Sequence, residues 1–370
     1  MHNSKSMLAA LLALAACAPA APPPTSRAEA QEIVANMRRI VTEHGVERLE
    51  AVRIGGVDQW VSIRGVDRRN PILLYLHGGP GYVSMPTAWS QTRTWEDHFT
   101  VVHWDQRGAG KTYAAAPDRD AMIESLSYDR MVDDAIEMAA WLRQEFGKER
   151  IFVLGQSWGS VLGVELARRH PDWLHAYIGV GQAADMMEGE RRGYAWALAR
   201  ARAENNTEAI AALEAIAPYA ETSPPSTDDL LIQRRWLGHY GGVVHGRADS
   251  SDFTRAARLS PDYTDQDLAL VWEANERSVQ RLFPELWANA DFSAVTSLDT
   301  PIILLSGRHD YNVNSEVGAE WLARLDAPSK AIVWFEHSAH EPTSEEPGRA
   351  LAALITHALP FAQAAGDVAP

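Results

Sequence analysis

Between an apolar strand and a helix the chain reads VLGQSWGSVLG, and this junction limits the fold more than any other stretch. Gly155-x-Ser157-x-Gly159 follows the apolar run Ile151 to Gly155 with no residues to spare. A turn this tight strains the serine backbone, lifts its hydroxyl above a sheet edge and sets it at a helix N-terminus, where the dipole favours developing negative charge. An incidental serine in a glycine-rich turn is the plainer reading. The strand before it and the helix after it argue against that.

The surrounding pattern supplies the sheet. Strands are expected over Glu47 to Ile54, Gln59 to Arg64, Ile72 to Leu76, Thr100 to Trp104, Ile151 to Gly155 and Leu174 to Gly181. Helices are expected from Arg27 to about His44, from Tyr128 to Phe146 with Met131, Ala135, Met138, Ala139 and Leu142 on one stripe, and from Trp158 to Arg169. Strand and helix alternate, which implies right-handed crossovers and a mostly parallel, doubly wound α/β sheet. From about Asp185 to Ala290 the chain turns helical and rich in Ala, Glu and Arg, before PIILLSG and AIVWF restore the strand rhythm. The division expected is a sheet core over 28–184 and 296–362, an inserted helical cap over 185–295 and a frayed tail over 363–370. With 370 residues, 46% of them hydrophobic, the chain has material enough for that arrangement.

The N-terminus reads as a targeting segment over 1–17, followed by a Pro/Ala-rich tether over 18–27. Lys5 precedes an apolar run from Met7 that is too short to span a bilayer and ends in Leu14-Ala15-Ala16-Cys17. Small residues before a cysteine match a bacterial lipoprotein signal. The expectation is an exported lipoprotein, lipidated at Cys17 and facing the periplasm. Cys17 is the single cysteine, so no intramolecular disulfide can form. A formal charge of −15 argues against nucleic acid or an anionic membrane surface as partner, leaving the lipid as the only membrane contact.

Further chemistry sits at other strand ends. In LHGGPGYVSM, after Ile72 to Leu76, the glycines let backbone amides converge beside the serine, so the amides of Gly79 and Trp158 are the natural oxyanion donors. Asp310, in LLSGRHDYN, follows the strand beyond the insertion. Serine, aspartate, then a histidine after the last strand is the chain order of α/β-hydrolases. WFEHSAHEP offers two histidines, His337 and His340. DQRGAGKT ends like a phosphate-binding loop, but Asp105 occupies the position where that motif needs its first glycine. It reads as a structural loop with Asp105 paired to Arg107. No metal-ligand spacing is present.

Taken together, HGGPG (77–81), DQRGAGKT (105–112), GQSWGS (155–160), GRHD (307–310) and SAH (338–340) resemble the proline iminopeptidase family of α/β-hydrolases, across roughly Val46 to Leu359. The resemblance implies a cofactor-free serine aminopeptidase acting on short peptides. It assigns Ser157 as nucleophile, Asp310 as acid, His340 as base and Gly79 with Trp158 as oxyanion donors, leaving His337 a bystander. It also implies cap carboxylates that hold the substrate's free amine. The family's Trp-Glu pair is missing from RRGYAWALARARAENN; of the available Asp185, Glu188, Glu190 and Glu204, the choice falls on Glu188 or Glu190. A carboxylesterase with the same triad is the first alternative, and an inactive, lipid-anchored binding protein the second.

Overall fold

The computed structural model describes residues 22–247 and 249–370; the expected signal segment, with Cys17, lies outside the described residues. Eight strands form one sheet: β1 (Val46–Ile54), β2 (Val57–Gly65), β3 (Ile72–Leu76), β4 (Thr100–Trp104), β5 (Ile151–Gln156), β6 (Leu174–Val180), β7 (Ile302–Gly307) and β8 (Lys330–Phe335). Their order is β1-β2-β4-β3-β5-β6-β7-β8. β1 and β2 form an antiparallel hairpin turned at Gly55-Gly56, both with positive φ, and β2 pairs antiparallel to β4. Every other pairing is parallel. The strands from β3 to β7 are buried along their whole length, as a sheet covered on both faces requires.

Helices cover both faces. α1 (Arg27–Met37) starts on a Ser26 cap and stops short of the expected His44. Beyond it come the β-branched Ile40, Val41 and Thr42, poor helix formers, and Arg38 is drawn aside to Asp262 at 2.9 Å. α2 (Tyr128–Phe146) buries the whole expected stripe and ends at Gly147 in the left-handed conformation. α3 (Trp158–Arg169) packs against β5 and β6.

Between β6 and β7 the chain leaves the sheet for four longer helices, α4 (Met186–Ala203), α5 (Thr207–Ala215), α6 (Thr227–His239) and α7 (Asp265–Asn289). Ala197, Ala201, Leu213, Trp236 and Leu237 give this insertion a small core of its own. α7 fastens it to the sheet domain. Lys111 Nζ meets Asp267 at 2.7 Å, Ser278 Oγ donates to the Gly108 carbonyl at 2.9 Å, and Asn275 Nδ2 donates to the Pro80 carbonyl at 2.7 Å.

Two expectations are corrected. Asp105 and Arg107 do not pair. Arg107 reaches back to Asp134 of α2 at 2.7 Å, while Asp105 accepts from the Lys111 amide at 2.7 Å and from the Tyr263 hydroxyl of the cap. Burial pushes the Asp105 carboxyl up to about 7, against the pull of those donors. Nor does the tail fray. Asp367 binds His175 Nε2 at 2.9 Å and the Lys148 ammonium, and Val368 packs against the core. These tail contacts are far apart in sequence, so no local pattern announces them.

Candidate active site

Ser157 stands between β5 and α3 with φ 52° and ψ −118°, a conformation unfavourable for a non-glycine residue. Its flanks explain how the chain tolerates this. A Cβ on Gly155 would lie 2.3 Å from the Gly159 carbonyl oxygen, and one on Gly159 would lie 2.0 Å from that of Leu76. Only glycines let strand, turn and helix approach so closely. The Ser157 amide donates to the Val180 carbonyl at 2.9 Å, tying the turn to the end of β6.

The next residue of that strand end lies against the candidate acid and base. A Cβ on Gly181 would sit 2.7 Å from His340 Cε1 and 3.4 Å from Asp310 Oδ2, so ring and carboxylate lie directly against the backbone that holds Ser157. His340 Nδ1 is 2.8 Å from Asp310 Oδ2. A carboxylate can only accept, so Nδ1 carries the hydrogen and Nε2 is left free to take a proton. Asp310 Oδ1 accepts from the amides of Asn312 (2.8 Å) and Val313 (3.2 Å), which fixes the carboxylate. Burial disfavours a charged His340, but the Asp310 charge and hydrogen bond outweigh it and raise the imidazole above its ordinary value.

The loop carrying His340 is lashed down by residues that sequence reasoning passed over. Glu345 accepts from the Ala339 amide at 2.9 Å and from His245 N at 2.7 Å; Glu346 accepts from Ser338 Oγ at 2.8 Å; the His340 amide donates to the Val243 carbonyl at 2.9 Å. Ala339 is buried and does not adopt positive φ, so the backbone conformation there does not call for glycine. His337 is exposed, whereas His340 and Asp310 are buried.

His77 orders the glycine loop. Its Nε2 accepts from the Gln106 amide at 3.2 Å, so its Nδ1 carries the hydrogen and donates to the Gly78 carbonyl at 2.9 Å. Burial pushes this imidazole down to about 4 and keeps it neutral. The Gly78 carbonyl and the Gly79 N–H belong to one planar peptide, so holding the first aims the second. Gln106 also accepts from the Trp158 indole at 3.0 Å, so the DQRG loop braces both proposed donors. Gly78 lies against the nucleophile candidate: a Cβ there would be 3.3 Å from Ser157 Cβ.

A cavity of about 140 Å³ opens over Ser157, Gly79 and Trp158, walled by Val161, Ala183 and Leu286 and closed by Asp185, Glu190 and Arg234 of the cap. Of the two glutamates expected there, only Glu190 reaches it. Glu188 is two residues away on α4, about 200° around the helix, and pairs at 2.7 Å with Arg191 and Arg192. Glu190 is held by the two terminal guanidinium nitrogens of Arg234, one at 2.9 Å, and by the Tyr219 hydroxyl at 2.8 Å. Arg234 and Tyr219, 44 and 29 residues from Glu190, gave no signal in the sequence. Among the described residues no group of His, Cys, Asp and Glu is arranged to hold a metal ion.

Comparisons with known proteins identify the family. A family model described as serine aminopeptidase, S33, matches residues 72–347. The probable aminopeptidase YbaC of Bacillus subtilis is 29% identical over 312 residues, 84% of this chain and 96% of that protein. The proline iminopeptidase of Clostridium botulinum is 25% identical over 286 residues, covering 75% of this chain and 86% of that one. The crystal structure of proline iminopeptidase from Mycobacterium smegmatis superposes with a TM-score of 0.55 at 21% identity, over 86% of this chain and all of that one; this likeness speaks to the fold. The chain is an enzyme of the α/β-hydrolase fold and belongs to the serine aminopeptidase S33 family.

Proposed function

We propose that the enzyme removes a small N-terminal residue, proline foremost, from short peptides through an acyl-enzyme on Ser157. His340 Nε2 takes the Ser157 proton as Oγ attacks the carbonyl carbon. The oxyanion rests on the amides of Gly79 and Trp158, at the positive end of α3. The imidazolium, steadied by Asp310, then protonates the leaving nitrogen as the C–N bond breaks, and water repeats the cycle on the ester. The observation that carries this reading is the Asp310–His340 pair seated on Gly181, against the backbone that strains Ser157.

The cavity supports the aminopeptidase part of the reading. Its volume is well below the roughly 300–1,000 Å³ of pockets for larger ligands, which suits one compact apolar side chain. It carries the carboxylates of Asp185 and Glu190 against the single guanidinium of Arg234. One formal negative charge is left over, the complement of a substrate ammonium, which would be costly to bury unpaired.

The test compares prolyl and alanyl amides with their N-acetylated forms and with short-chain p-nitrophenyl esters. Acetylation is expected to cut kcat/KM by at least about 100-fold, since it deletes a buried charge pairing. Equal rates on free and acetylated substrates would favour a carboxylesterase instead.

A further inference from the structure

A second cavity, of about 320 Å³, lies on the other side of the glycine loop. We infer that it receives the leaving group, so that the enzyme prefers substrates whose leaving side carries a bulky apolar group. This rests on the acyl-transfer reading above.

The two cavities divide at the turn from Gly78 to Tyr82, where the Tyr82 amide donates a hydrogen bond of 3.1 Å to the Gly78 carbonyl. The smaller holds Gly79, Ser157 and Trp158, while the larger begins at Tyr82. An oxyanion on the amides of Gly79 and Trp158 directs the acyl chain into the cavity those residues line. The leaving atom must instead face the imidazole that protonates it. The larger cavity is floored by Gln156 and Glu341, the residue before the nucleophile and the residue after the base. The wall of this cavity therefore comes within one residue of both Ser157 and His340.

Size and lining fit the same role. The volume falls within the usual range for a pocket that buries a sizeable organic group. More of the wall is apolar than polar, with Val83, Leu268, Val271 and Trp272 beside Ser84, Thr87 and Gln91. Trp272 is 56% exposed, and its ring lies 6.0 Å from that of Tyr82. A large aromatic left uncovered beside a pocket is a ready surface for stacking a substrate side chain.

The polar floor suits a departing amine. Glu341 accepts from Gln156 Nε2 at 2.7 Å, and Gln156 in turn accepts from the Tyr75 hydroxyl. Burial raises the Glu341 carboxyl above its ordinary value, and among the described residues no Lys or Arg pairs with it. Arg255 and Arg258 stand exposed at the rim and set the charge of the mouth rather than of the floor.

The experiment uses alanyl and prolyl substrates with a common acyl part and leaving groups ammonia, glycine and phenylalanine. Wild type is expected to show kcat/KM at least about tenfold higher for phenylalanine than for glycine. Val271→Trp fills the cavity and should lower that ratio by about tenfold, and Trp272→Ala should lower it in the same direction. Because all substrates of one acyl group share an acyl-enzyme, the deacylation rate should not follow the leaving group. A flat ratio in wild type, or a ratio unmoved in both variants, overturns the assignment while turnover by Ser157 stands. Absence of any acyl-enzyme across the series would instead overturn the reading on which it rests. Thermal melts of both variants separate loss of the cavity from loss of the fold.

Discussion

The sheet domain and the inserted cap contribute to one site in different ways. In the sheet domain the functional groups sit at strand ends that turn sharply, Ser157 and Asp310 held by backbone groups (the Val180 carbonyl and the Asn312 and Val313 amides) and the Gly79 peptide by the neighbouring His77 imidazole. In the cap the groups facing Ser157 are held by one another, as Glu190 is by Arg234 and Tyr219. Backbone-held groups have little freedom to move without unmaking the fold. Side-chain-held groups can be exchanged as a set, which is where an enzyme of this architecture can change its substrate without changing its chemistry.

The sharpest way to break this contrast lies in the sheet domain. Asp310→Asn should lower kcat by about 10⁴-fold, because the amide no longer holds His340 in the proton-accepting tautomer. Its pH profile carries a second sign. Activity rises with pH as His340 loses its proton, and Asp310 raises the pH at which that happens above the ordinary histidine value. In the variant the residual activity should therefore rise at lower pH than in wild type. An unmoved acid limb would mean that another group titrates.

His77→Ala should come next, with kcat falling about 100-fold and KM changing little. It frees the Gly78–Gly79 peptide and so misaims one oxyanion donor without touching substrate. A change confined to KM would show that His77 only shapes the binding surface.

In the cap the expected effect is on stability first. Glu190→Gln leaves Arg234 facing the cavity without its counter-charge, at a cost of about 3 kcal/mol. This is the lower end for a buried pair because the Arg234 side chain keeps 25% of its surface. Urea denaturation measures it, and a loss under about 1 kcal/mol would show that the pair is solvated. Smallest of all, Glu188→Ala and His337→Ala should each stay within about 0.5 kcal/mol and leave kcat/KM unchanged, since both residues lie outside the site. A loss of activity in His337→Ala matching that of His340→Ala would reverse the choice of base.

The same contrast decides what could be read in the sequence. Turns that strain the backbone demand glycine, so Gly155, Gly159 and the HGGPG loop were visible, and with them Ser157 and the peptide of Gly79. Asp310 and His340 were legible because the order of strand ends restricts where an acid and a base can arrive. Nothing comparable restricts the cap. Glu188 and Glu190 differ only by their angle around α4, and the partner that distinguishes them lies on another helix. Asp105 was misassigned for a related reason: its nearest cation in sequence, Arg107, goes to Asp134, while its true partner Tyr263 is 158 residues away.

Covalent labelling is the direct test of Ser157 as the nucleophile. A fluorophosphonate should add once per chain of wild-type enzyme, on the peptide containing Ser157 as located by mass spectrometry. Ser157→Ala should fold normally, take up no label and lose turnover of prolyl and alanyl amides. Labelling of the Ser157→Ala protein at another residue, with turnover retained, would contradict the account.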